Sequence, residues 1–268
     1  MNDASVVSDG SVVNDGSVTS DAGVTLCNGD PSVRLAFQTV GGGTTLPGSQ
    51  VTYENGFRYL VVTGDCRYWA MKDDDSDVRE GHLSSAQAEE IVNDWRLSTW
   101  TSLDSHYGHG VPDASVYVLS FEGTHITVSP SFSDAAEPGQ WLGVEGQATL
   151  KSAYDAGTAV AGPVRFVLVE GATWSSSVQG LDWPLTVDPA SLALTYAQAS
   201  SYVTGTSQVA LASDAEALRQ LRRDFLGAGR GGLTGGYIPV LGPTGAQYQL
   251  FVRDSIPIED EHGLLAIQ

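Results

Sequence analysis

Residues 50–71 read QVTYENGFRYLVVTGDCRYWAM, and this stretch decides the fold class. Apolar and polar residues alternate on both sides of Asn55-Gly56. Asn-Gly between alternating runs signals a hairpin, because a type I′ turn needs positive φ at both central residues. The pattern predicts strands over 50–54 and 57–63, with another over 66–71 after the break at Thr63-Gly64-Asp65.

Outward from there, VRLAFQTV at 33–40 reads as a strand ended by Gly41-Gly42-Gly43. A hairpin is predicted over 116–121 and 124–130 through Glu122-Gly123, and a buried strand over 164–170 (VRFVLVE). A closing hairpin is predicted over 237–241 and 247–253, around Pro243-Thr244-Gly245. Two segments carry helical signals. Ser84-x-x-Gln87 is a capping box followed by Ala88, Ile91, Val92 and Trp95 at 3.6-residue spacing, which predicts a helix over 84–96. Ser213-x-x-Glu216 precedes Ala217, Leu218, Leu221 and Phe225, which predicts a helix over 213–226 stopped by Gly227 and Gly229. The class is therefore α+β, a mostly antiparallel sheet with two principal helices. Residues 133–162, rich in Ala and Gly and poor in alternation, read as a linker. The body is expected either as two related lobes, 31–150 and 151–268, or as one domain over 31–268. The shared order of strand, Ser-capped helix and closing hairpin suggests a duplication.

Composition bounds the function. With 13 basic and 32 acidic residues in 268, the net charge is −19, which repels phosphate backbones and anionic lipid. Nucleic acid is excluded as a partner, and no apolar run approaches the ~18 residues of a membrane span. The two cysteines, Cys27 and Cys66, are too few for a disulfide scaffold. They are either one bridge closing a loop of about 40 residues, stabilising by roughly 3–4 kcal/mol, or two buried thiols.

Residues 1–30 hold aspartates at 3, 9, 15 and 21, in the units DASVVS, DGSVVN, DGSVTS and DAGVTL. A single valine-centred apolar site per unit cannot bury a core, so the segment reads as a disordered acidic tether. It resembles the Asp/Gly/Ser/Val linkers that follow the lipidated cysteine of bacterial surface lipoproteins. It departs from them in having no signal peptide after Met1 and no apolar run before Cys27. The order of strand, Gly-rich loop, hairpin, helix and hairpin resembles small secreted bacterial domains of unknown function. The first resemblance implies an extracytoplasmic, surface-tethered protein; the second implies a fold that pairs a curved sheet with one helix, and it brings no catalytic residues with it.

Candidate chemistry is sparse. His106 and His109, with His125 and Asp113, supply nitrogen and oxygen ligands that would suit zinc if the H-x-x-H segment turned as a helix. The flanking Gly108 and Gly110 favour a loop. Asp73, Asp75 and Asp77 have the spacing that opens a calcium loop, but Val78 stands where Gly is needed and Ser84 where a bidentate Glu is needed. Trp141, Trp174 and Trp183 lie outside the regular elements, where flat rings could line a groove for a glycan or peptide or plug the joint between lobes. The glycines at 41–43 lack the Lys and helix of a phosphate loop. The leading expectation is a non-catalytic binding or envelope protein without a cofactor, its partner a protein, peptide or glycan. A metal-dependent hydrolase using the histidines, and a protease inhibitor presenting the loop at 41–48, are the alternatives.

Overall fold

The structure, a computed structural model, describes residues 23–41, 58–72, 77–108, 115–129, 138–160, 162–171, 178–200, 207–229 and 237–259. The first of its two sheets contains β1 (Val33–Gly41), β2 (Arg58–Thr63), β3 (Arg67–Met71), β4 (Arg79–His82), β5 (His106–Tyr107), β6 (Ser115–Phe121), β7 (Thr124–Val128) and β8 (Thr158–Ala159). Their order is β5-β7-β6-β1-β2-β3-β4-β8. The second contains β9 (Val164–Glu170), β10 (Leu181–Asp182), β11 (Gln208–Val209), β12 (Ile238–Leu241) and β13 (Gln247–Asp254), in the order β10-β12-β13-β9-β11. All neighbours are antiparallel except β5 beside β7 and β10 beside β12. Four α-helices accompany the sheets among the described residues: α1 (Ser85–Asp94), α2 (Pro138–Ala156), α3 (Tyr196–Ser200) and α4 (Ala212–Gly227). The α+β class with mainly antiparallel sheets is as the sequence predicts.

The strand pattern at 58–71 sorts side chains to two buried faces. Leu60, Val62, Tyr68 and Ala70 join Leu35 and Phe37 beneath α1 and α2. Tyr59, Val61, Trp69 and Met71 point the other way with Ala36. A strand flanked on both sides reads as a nearly unbroken apolar run, as RYLVVT does. The predicted strand at 50–54, the Asn55-Gly56 turn, and Gly42 and Gly43 lie outside the described residues.

Cys27 and Cys66 form a disulfide, with Cα atoms 5.1 Å apart. Cys66 occupies the left-handed region at φ 67° in the turn from β2 to β3. The bridge holds a segment expected to be tether. From Gly23 onward the chain belongs to the body, with Leu26 only 1 % exposed in the first core. Thr25 O accepts from Arg34 Nη2 at 2.6 Å, and Gly29 N donates to Gly64 O at 2.7 Å. The fourth hexad differs from the other three in ending on leucine, and that leucine is the anchor.

The expected linker is α2, a helix of 19 residues packed on the first sheet. Its buried side is Gly139, Leu142, Gly143, Gly146, Leu150, Ala153 and Tyr154, a helical repeat in which three members are glycine. These glycines set the distance of approach. A Cβ at Gly139 would run into the Tyr107 side chain and one at Gly146 into the Phe37 ring, while one at Gly143 would lie 3.0 Å from the Tyr117 ring. α2 ends at Ala156, beyond the expected lobe boundary at 150, and β8 then adds the edge strand of the same sheet.

α1 forms as predicted. Ser84 Oγ accepts from Gln87 N, the Gln87 side chain accepts from Ser84 N, and Ala88, Ile91 and Val92 are buried. α4 lies where predicted, but its predicted cap is not made. The helix begins at Ala212, so Ser213 is already inside it, and its hydroxyl bonds Asp214 instead. Ala215, Leu218, Leu221 and Phe225 cover one face of the second sheet.

The chain after β13 ties the sheets together. Ile256 packs on the outer face of the first sheet, with Val160 and Ile258 beside it. Charged groups gather at the same place. Asp254 accepts from Arg219 Nε at 2.5 Å and lies 3.8 Å from Arg222, which itself lies 3.7 Å from Asp77. Glu259 pairs with Arg253 at 2.7 Å and Arg165 at 3.6 Å. The sheets share a spatial plan, since each sets an opening strand (β1 or β9) beside a hairpin whose far strand carries a two-residue parallel neighbour. The chain order within the plan differs: β1 takes the first strand of its hairpin, β9 the second. The duplication suggested by the sequence therefore does not extend to connectivity.

Candidate functional site

A cleft of about 140 Å³ lies between α1 and α2. α1 contributes Gln87, Glu90, Ile91 and Asp94, the i, i+3, i+4, i+7 face of one helix. α2 contributes Glu145, Ala148, Thr149, Ser152 and Ala153 by the same periodicity, and Tyr68 and Leu83 supply the floor. The gap exists because the facing side of α2 is small-chained, so the helices touch through few atoms above the core.

Its width is fixed from below. Trp95, fully buried at the end of α1, donates from Nε1 to Thr149 Oγ1 on α2 at 2.9 Å. Trp100 stacks on Trp95 with ring centroids 6.1 Å apart and donates from Nε1 to Trp95 O at 2.8 Å. Phe37 meets Trp95 edge-on. Such a stack of large rings in staggered contact resists both closure and opening.

The cleft is acidic and has no basic residue in its lining. Glu90, Asp94 and Glu145 make no ion pair or hydrogen bond among the described residues, whereas nearby cations are engaged. Arg96 lies over the Trp141 ring at 4.5 Å, Lys151 pairs with Asp155, and Arg79 lies over the Tyr154 ring at 4.5 Å. Tyr68 is 3 % exposed, and its ring covers Gly81 on β4, where no other residue leaves room for it. Its hydroxyl makes no hydrogen bond among the described residues, and burial raises its pKa above the ordinary phenol value.

The predicted sites fall elsewhere. His106, exposed on β5, sets Nε2 3.1 Å from Gly108 O; His125 is exposed on β7, opposite Ser120. His109 and Asp113 lie outside the described residues. No group of three metal-ligating side chains gathers among the described residues. Asp77 pairs with Arg222, and Asp73 and Asp75 lie outside the described residues. Trp141 packs at the edge of the first core and Trp183 is buried in the second, donating to Val187 O at 2.8 Å, so the two belong to different cores. Trp174 lies outside the described residues. No helix among the described residues is long and apolar enough to cross a membrane.

The cleft is not legible in the sequence because one of its walls, α2, lies in a stretch that reads as linker. The signal was the spacing of Leu142, Leu150 and Tyr154, which becomes a helical stripe once Gly139, Gly143 and Gly146 are counted as buried positions. No family model matches the sequence, and neither a curated protein nor a solved structure was found to match it.

Proposed function

We propose that the protein is an extracytoplasmic binding module that takes its ligand in the cleft between α1 and α2. The observation that carries this reading is the cleft itself: a cavity with an apolar floor, polar walls and a width fixed by the Trp95–Thr149 bond. Concave sites that combine apolar lining with a few convergent polar groups are where small ligands bind. The compartment rests on Cys27–Cys66, since disulfides persist in oxidising surroundings.

A ligand-observed NMR screen of a chemically diverse fragment set tests the reading. Binders are expected whose signals vanish on Ala148→Leu, a change at an exposed helical position that fills the cleft without touching the core. Fragments that bind the variant as well as the parent, or a screen without binders, would contradict it.

A further inference from the structure

The chemistry of the lining narrows the ligand further, on the premise that the cleft is the binding site. We propose that it selects an alkylammonium: a protonated amine carried on a hydrocarbon chain of about four to six carbons. The size follows from the volume. About 140 Å³ is available, and a cavity of roughly 150 Å³ accommodates a six-carbon ring.

Two observations converge on the charge. Glu90 and Asp94 on one wall and Glu145 on the other face the cleft with no cation among the described residues to neutralise them. Like charges held across a narrow gap repel, and a cation placed between them gains from all three. The Tyr68 hydroxyl, on a side chain 3 % exposed, has no partner among the described residues and lines the floor. A hydroxyl oxygen without a protein partner can accept an ammonium N–H.

The apolar part of the lining decides between cation classes. Leu83, Ile91 and Ala153 are buried or nearly so where they meet the cleft. A bare metal ion would leave that surface wet, and no three metal-ligating side chains gather among the described residues. A hydrocarbon chain covers it and gains from doing so. The same chemistry arrives either as a free aliphatic amine or as the lysine side chain of a partner peptide.

The test is calorimetric titration of the full chain, at low and at moderate salt, with pentylammonium, with pentan-1-ol as its neutral counterpart, and with a short capped peptide bearing one lysine. Pentylammonium is expected to bind at one site and at least tenfold tighter than pentan-1-ol. The double variant Glu90→Gln/Glu145→Gln is expected to bind it at least tenfold more weakly while melting within a few degrees of the parent. Ala148→Leu is expected to abolish binding. A lysine peptide that binds tighter than pentylammonium identifies the source as a protein partner, and one that binds more weakly identifies a free amine. Pentan-1-ol binding as tightly as the amine, and blocked by Ala148→Leu, would overturn the cation selection and leave the cleft as a binding site. Amine binding that survives Ala148→Leu would show diffuse attraction to a chain of net charge −19 and would overturn both. Absence of amine binding would overturn the inference.

Discussion

Gly146 and Gly227 show how one residue type carries opposite consequences at two places. Alanine is the better helix former by about 1 kcal/mol, so both would gain from substitution on propensity alone. Gly227, at the exposed end of α4, has nothing within 4 Å of the position a Cβ would take. Gly227→Ala is expected to stabilise by about 0.5–1 kcal/mol in urea denaturation. At Gly146 the new methyl meets the buried Phe37 ring. Overpacking of that kind costs about 1–3 kcal/mol, and Gly146→Ala is expected to destabilise. A stabilised Gly146→Ala variant would mean that α2 does not sit down on Phe37.

At the scale of the element, the caps of α1 and α4 make a matched pair. Both have the same sequence signature, but only Ser84 accepts the N3 amide. Ser84→Ala is expected to cost about 1 kcal/mol of unfolding free energy, and Ser213→Ala to change it by less than about 0.5 kcal/mol. The comparison also shows what a sequence can convey about an element. Ser84 is followed by buried residues at the right spacing, so local and tertiary preferences agree and the helix is legible to its cap. Near Ser213 the hydrophobic face reaches back to Ala215, and burying it starts the helix one residue before the serine, which overrides the local signal. α2 was hidden for a different reason. Glycine is read as a helix breaker because its backbone entropy disfavours helices, yet here it is what lets two surfaces meet. The strands at 33–41, 58–63 and 67–71 were legible because each is a short apolar, β-branched or aromatic run bounded by glycine or turn residues. The cleft was not, because no single segment contains it: its walls are 58 residues apart between Gln87 and Glu145, and only packing brings them together.

At the scale of the whole molecule, two devices join distant parts of the chain. The disulfide pins residues 23–30 to the turn between β2 and β3 across a separation of 39 residues. Replacing both cysteines by serine is expected to cost about 4 kcal/mol by the loop-entropy relation, read as a shift of the urea midpoint. The second device is the charge cluster after β13. Burial pushes the Asp254 carboxyl above its ordinary pKa of 3.8, outweighing the opposite pull of Arg219 and Arg222, with Asp77 adding to the rise. Such a group binds its proton more tightly in the folded state than in the unfolded one. Its contribution to stability is therefore complete below about pH 4 and is lost as pH rises through the folded pKa. The stability of the parent relative to Asp254→Asn is expected to fall as pH is raised from about 3 to about 7, and a rise over that range would contradict the raised pKa. The first sheet is the support on which α1 and α2 stand, and the central claim is that the gap between those two helices is a binding site for an alkylammonium. The most direct measurement is an amide chemical-shift map of the ¹⁵N-labelled protein titrated with pentylammonium. The account predicts saturable shifts at Gln87, Ile91, Ala148 and Ser152, with the Trp95 indole N–H moving as its bond to Thr149 responds and with β9, β12 and β13 unmoved. Shifts spread evenly over the acidic surface, or confined to the second sheet, would contradict it.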